Sequence, residues 1–230
     1  MRTRAALPSI LLLMLPWLPD HAHAQPGEPG NWYQYFGINP VSARWLVHNE
    51  VQYRNFNLAG DLEQLLLRAG AGYNLTESNH NVLLGYAYLY NKTYRSREKV
   101  ASDENRFFAQ YIVKHPAGRI SVGHRCRLEY RLREETEAWR ARYMVWIQLP
   151  LNKPVLEKGC IFFMASNELF VNTTGTGFDR NRLYGALGYA LNHRLTVEIG
   201  MMRQSLASSA RDQFQVAVFN RLPWHAERKP

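Results

Sequence analysis

The chain has 230 residues, with 28 lysines and arginines against 19 aspartates and glutamates, a formal net charge of +9 at pH 7 and two cysteines. That length gives one domain, and so few cysteines exclude a disulfide framework. Past Gln25 no apolar run approaches the roughly 20 residues of a membrane helix, which leaves a soluble exported protein or a membrane β-barrel.

The chain opens with Arg2 and Arg4, an apolar stretch from Ala5 to Pro19, and the small-x-small triplet Ala22-His23-Ala24 before Gln25. This order of charge, apolar run and small residues reads as a secretory signal peptide over 1–24. Residues 25–30 read as a flexible leader, 31–221 as a single β-barrel domain and 222–230 as a C-terminal tail. Export also bears on the basic charge. An exported protein rarely meets nucleic acid, so the expected partners are outer-membrane lipid, lipopolysaccharide phosphate or a small anionic solute.

Helical periodicity is almost absent from the mature chain. Strand-length runs alternate with turn chemistry at 32–38, 44–55, 62–74, 81–91, 105–114, 119–132, 138–149, 159–172, 181–191, 194–204 and 212–220. Many runs reach about ten residues, beyond the usual globular strand and matched to a tilted membrane-spanning one. The run 32–38 is the awkward one. It would make an eleventh strand where even numbers are the rule, so it either pairs beside a twelfth or packs into the lumen.

The stretch Arg119–Leu149 carries the clearest alternation. Arg119, Arg125, Arg127, Glu129 and Arg131 share one parity, and Ile120, Val122, Cys126, Leu128, Tyr130 and Leu132 the other. Arg140 and Arg142 continue it against Ala141, Tyr143, Val145, Ile147 and Leu149. The charged parity recurs elsewhere as Glu50, Gln52, Arg54, Gln64, Arg68, Arg106, Gln110, Gln148, Glu168, Arg182, Glu198, Gln204 and Gln215. Arginine dominates and lysine is nearly absent from mid-strand. A solvated face favours Lys, Glu, Thr and Ser, whereas Arg suits buried networks in which its planar fork holds several acceptors. Tyr53, Tyr73, Phe107, Tyr111, Tyr130, Tyr143 and Tyr189 fall on the apolar parity, as an aromatic belt requires. The expected fold is therefore all-β: an antiparallel up-and-down transmembrane barrel of 10–12 strands, apolar outside, with an Arg/Glu-filled lumen. The expected lumen network is Glu50, Arg54, Arg68, Arg106, Gln110, Arg125, Arg127, Glu129, Arg131, Arg140, Arg142, Glu168, Arg182 and Glu198, with positive charge in excess.

Break lengths assign the two ends. The breaks 56–61, 92–104, 133–137, 173–180 and 205–211 fall on one side and include the long charged loop Lys92–Glu104, which carries Lys92, Arg95, Arg97 and Lys99. This side is expected outside the cell, with shorter turns in the periplasm. Cys126 and Cys160 sit on next-but-one strands as apolar-face residues too far apart to bridge.

No catalytic residue, metal site or cofactor is called for. A nucleophile elbow, HExxH and CxxC are all missing. His124 reads as an interfacial or lumen histidine in a hydrogen-bond network rather than a general base. Glu129 and Glu168 read as ion-pair partners of the arginines rather than a catalytic pair.

Several segments together resemble the bacterial domain of unknown function 2490, a family of expected outer-membrane barrels. They are Glu50 with Tyr53-Arg54, Leu62–Arg68 with Gly72-Tyr73, Gly85-Tyr86, Glu104-Asn105-Arg106 with Gln110, and His124-Arg125 with Arg127-Leu128-Glu129. Arg140–Tyr143, Asn167–Phe170 and Asn181–Tyr184 complete the series. The resemblance covers Trp32 to about Phe219 and implies fold and location, without an activity. The functional expectation is a non-enzymatic outer-membrane protein of a Gram-negative bacterium. It would act as a narrow pore, or as a structural or surface-interaction protein, with an anion-favouring lumen. The alternatives are a lipid-modifying barrel enzyme and a soluble periplasmic lipocalin-like barrel.

Overall fold

A computed structural model describes residues 29–224 except 77–78, 97 and 174–176. The expected signal peptide, most of the leader, Arg97 and residues 225–230 of the tail lie outside the described residues. Eleven strands follow one another: β1 (Gly30–Pro40), β2 (Trp45–Asn55), β3 (Leu62–Asn74), β4 (His80–Arg95), β5 (Glu98–Ala117), β6 (Ile120–Arg133), β7 (Glu137–Pro150), β8 (Ile161–Asn172), β9 (Phe178–Ala190), β10 (Leu195–Ser205) and β11 (Ala210–Asn220). Each corresponds to one of the runs read from the sequence. Neighbours in sequence are neighbours in space, and β1 closes the barrel against β11.

The closing pair departs from expectation. Ten strand pairs are antiparallel, but β1 and β11 run parallel, from Gly30↔Gln213 to Gly37↔Asn220. The run 32–38 is thus a full member of the wall, neither a lumen plug nor half of a missing pair. In a meander with an odd number of strands the first and last strands point the same way, and the slanted bonds of a parallel ladder can still satisfy their backbones. The termini therefore leave from opposite ends. The first rim holds Gly30 and the β2–β3, β4–β5, β6–β7, β8–β9 and β10–β11 turns. The second rim holds Asn220 and the remaining turns.

Several smaller expectations are corrected. The segment Lys92–Glu104 is not a loop. β4 and β5 stay paired through Lys92↔Ala101, Thr93↔Val100 and Tyr94↔Lys99 to Arg95↔Glu98, and project from the first rim as a ribbon. Its charges suggest a loop, but Thr93, Tyr94 and Val100 suit a pleated strand. Phe56 and Asp61 brace the ribbon: Phe56 lies 5.2 Å from the Tyr94 ring, and Asp61 is ion-paired with Lys99. Without that loop the asymmetry between the ends disappears, since the longest break is 151–160 on the second rim. Arg119 belongs to a turn rather than the lumen, and donates to the Pro150 and Lys153 carbonyls at 3.0 and 2.9 Å. Both cysteines are free, but only Cys126 is on the outer face. Cys160 is buried with Phe162 and Ala190 at the second rim. At the domain edges, Gly30 opens β1 instead of ending the leader. The start of the tail docks on the second rim, where Asn39 Nδ2 donates to the Leu222 carbonyl at 2.7 Å and Trp224 N donates to the Pro40 carbonyl at 2.8 Å.

The wall sorts its residues by parity. Apolar side chains face outward on successive strands, for example Val51, Leu67, Leu84, Leu128, Leu187 and Ile199. Aromatic pairs mark two levels of this belt. Tyr130–Trp139 and Tyr86–Phe107 lie toward the first rim, with ring centroids 4.8 and 5.4 Å apart, and Trp45–Tyr73 lies toward the second, at 5.0 Å. On β2, Trp45 and Tyr53 are about 26 Å apart along the strand at the usual rise per residue. Inward-facing glycines keep the interior open. A Cβ on Gly123 would collide with the Trp146 ring, and one on Gly188 with the Phe162 ring. Each glycine lets its large cross-strand neighbour lie flat on the wall instead of projecting into the lumen.

Candidate functional site

An eight-stranded barrel is just filled by its own side chains, so eleven strands leave room. The interior holds a cavity of about 960 Å³ lined by residues from all eleven strands. Of the fourteen network residues read from the sequence, all but Glu129 line this cavity. Glu129 is 1% exposed and lies beneath Arg127, Arg140 and Arg142.

The network has three anionic centres. Glu129 accepts from Arg140 Nη2 and Arg142 Nη1, each at 2.6 Å, and Arg127 Nη1 lies 3.6 Å away. Arg142 also reaches Glu168 at 2.7 Å, and Arg125 meets the same carboxylate at 2.7 Å. One guanidinium thus bridges the two carboxylates that could have formed a catalytic pair. The register places these groups: Arg127↔Arg142 and Glu129↔Arg140 face each other across β6–β7, and Met144↔Glu168 across β7–β8. Glu104 is the second centre. It accepts from Arg106 Nε at 2.8 Å, from Arg131 Nη2 at 3.2 Å and from Arg133 Nε at 3.2 Å. Glu50 is the third. It pairs with Arg68, has His48 Nε2 at 3.3 Å, and accepts from Gln52, whose own side-chain oxygen accepts from Arg54 Nε at 3.0 Å.

Cations outnumber carboxylates, and three arginines show the imbalance. Arg54 hydrogen-bonds Gln52, and Arg182 hydrogen-bonds Gln204 at 2.9 Å. Among the described residues no carboxylate comes within ion-pair distance of either. Arg127 has Gln110 as its hydrogen-bond partner at 2.9 Å. Aromatic faces supply part of the missing negative potential. Arg54 lies 3.7 Å and Arg182 4.9 Å from the Trp32 ring centre, Arg142 lies 4.4 Å from Phe170, and Arg127 lies 4.8 Å from Phe108. Glu198 faces the same cavity from β10, with the Tyr184 hydroxyl at 3.4 Å. At the rim, the ammonium of Lys99 donating to Asp61 holds that carboxyl below its ordinary range.

Sequence reasoning missed Glu104, Trp32, Phe108 and Phe170. Glu104 was hidden in the supposed loop, although Glu104, Arg106, Phe108 and Gln110 share one unbroken parity. Phe108 and Phe170 share the inward parity of Arg106 and Glu168, but only the structure shows these aromatic rings and that of Trp32 lying against guanidinia. His124 sits on the outer face. Its Nδ1 is 2.8 Å from the Tyr143 hydroxyl, and its ring stacks on His115 with centroids 5.3 Å apart. No cluster of His, Cys, Asp or Glu suited to a metal ion occurs among the described residues.

The arrangement can attract and hold negative charge. Guanidinia fixed by partial pairing and aromatic stacking present spare N–H donors to the lumen at low cost in reorganisation.

No solved structure matches the chain. An uncharacterised protein of Methylorubrum extorquens is 27% identical over 170 residues, covering 70% of this chain and 72% of that protein. The model of the family described as "Protein of unknown function (DUF2490)" matches residues 29–215, and the chain belongs to that family.

Proposed function

We propose that this chain is a non-enzymatic β-barrel of a Gram-negative outer membrane whose lumen accepts small anionic solutes. Residues 1–24 act as its export signal. The observation that carries this reading is the inverted polarity of the wall. Guanidinia and carboxylates are buried inside, while large aliphatic and aromatic side chains are exposed outside around the barrel. In water that outer belt is an apolar surface far larger than a monomer tolerates, and in a bilayer it is the required surface. Trp45 and Tyr53, about 26 Å apart along β2, lie toward the two rims as the aromatic belts of a membrane barrel do.

The lipocalin-like alternative needs apolar residues facing inward, the reverse of this arrangement. The enzyme alternative needs a histidine with an acid or serine partner at the membrane edge. Here His124 engages Tyr143 and His115.

Two measurements test the proposal. The mature protein should begin at Gln25, fractionate with the outer membrane and migrate differently on gels before and after heating. Recovery in the detergent-free periplasmic fraction would refute the location. In planar bilayers, any conductance should favour chloride over potassium. Cation selectivity would refute the reading of the lumen, and silence from inserted protein would leave the binding role without the pore.

A further inference from the structure

The lumen is not uniformly charged along its axis. Inward positions on β1 run Trp32, Gln34, Phe36 and Ile38 from the first rim toward the second. At the Trp32 level the wall carries Arg54 and Arg182. At the Gln34 level it is polar, with Gln34 Nε2 donating to Gln215 Oε1 at 2.8 Å and Glu198 beyond Ala217 on β10. At the Phe36 level an apolar stripe begins on the seam side: Phe36 stacks on Phe219 at 4.8 Å across the parallel seam, while on its other side it pairs with Glu50, whose charge Arg68 offsets. Below that, Ile38 packs on the buried cluster of Leu46, Leu83 and Phe108. All four β1 side chains line the same cavity, so the charged and apolar regions form one continuous space.

The charged end also has spare donors. The Trp32 indole N–H is buried without an acceptor among the described residues. Trp32 itself is 4% exposed. A buried indole N–H normally finds a partner. Here it lies beside two guanidinia that lean on its own ring and, among the described residues, have only glutamine side chains as hydrogen-bond partners. A bound anionic oxygen would give both guanidinia the negative partner they lack. Four residues of strand separate Trp32 from Phe36, about 13 Å at the usual rise, which an alkyl chain of moderate length spans.

We infer that the lumen binds an amphiphilic anion, with a phosphate or carboxylate head at Trp32, Arg54 and Arg182 and an alkyl tail running along β1 to Phe36, Phe219 and Ile38. The inference rests on the anion-favouring lumen proposed above and narrows its ligand class from any small anion to one carrying a tail. A free anion satisfies only the head site. The tail gains the apolar end, where each buried methylene should raise affinity about fourfold.

The test uses the mature protein in phosphatidylcholine nanodiscs and calorimetric titration with inorganic, butyl, octyl and dodecyl phosphate, with empty discs subtracted. Affinity should climb steeply from inorganic to octyl phosphate, and octanol should not compete. Arg54→Gln with Arg182→Gln should weaken every alkyl phosphate at least tenfold. Ile38→Asn should flatten the gain from octyl to dodecyl. If the double variant fails to fold, the chain-length series and Ile38→Asn still decide the matter. Equal affinity for inorganic and dodecyl phosphate would overturn the inference, as would binding indifferent to either alteration. Chloride selectivity without chain-length dependence would overturn the amphiphile alone. Loss of both selectivity and phosphate binding would overturn the anion-favouring lumen beneath it.

Discussion

Glu129→Gln is the sharpest test of the lumen network. Glu129 is among the most buried charged groups in the protein, and the change keeps its volume while removing its charge. Three guanidinia lose their shared counter-charge, at 2.6, 2.6 and 3.6 Å. Removing one partner from a buried ion pair costs about 3–5 kcal/mol because the other charge is left uncompensated. Two of the three cations keep a second carboxylate here: Arg142 has Glu168 at 2.7 Å and Arg140 has Asp179 at 3.2 Å. The adjoining cavity also admits water. The lower end of the range therefore applies, about 3 kcal/mol. For a urea slope of about 2 kcal/mol per M, the unfolding midpoint in micelles should fall by about 1.5 M. The control is Glu63→Gln, which removes a rim carboxylate paired with Arg211 at 3.0 Å, a half-buried pair worth about 1 kcal/mol or less. Unfolding followed by the heat-modifiable gel shift gives both midpoints. If Glu129→Gln moves the midpoint no more than Glu63→Gln does, Glu129 is not the hub that the geometry makes it.

Other outcomes follow from the wall and its closure. Leu187→Arg places a charge on the outer face at a position 59% exposed and flanked by Ile199 and Phe163. It should cost about 2–4 kcal/mol for folding into lipid vesicles and almost nothing if that face meets water. Gly123→Leu drives a side chain into the Trp146 ring, so we expect about 1–3 kcal/mol of destabilisation from overpacking together with a narrower lumen, read as lower conductance. Epitope tags at Gln25 and after Pro230 should be digested from opposite faces of the membrane. Digestion of both from the same face would mean an even number of spanning strands. A fluorophore on Cys126 should be quenched by nitroxides carried in the lipid, whereas Cys160 should stay unlabelled until the barrel is denatured.

Much of this architecture follows from local pattern. Period-two alternation from Arg125 to Leu132 and from Arg140 to Leu149 fixes both the strand and its two faces, because successive side chains point to opposite sides. Arginine at mid-strand then identifies the enclosed face, since that fork-shaped cation suits shared acceptors. The lumen residues could accordingly be named before their partners were known. What alternation cannot give is where pairing stops. The charges around Asp103 look like a loop, yet the β4–β5 ladder continues to Arg95↔Glu98 because the backbone pairs whatever the side chains carry. Nor does a local pattern reveal contacts across the barrel. The parallel seam joins Trp32 to Gln215, and only closure brings Arg182 from β9 onto the ring of Trp32 from β1. The sequence by itself determined which residues face inward. Only the tertiary structure decided which of them meet, because that depends on strand number and register, and these are set by the whole ring rather than by any one strand.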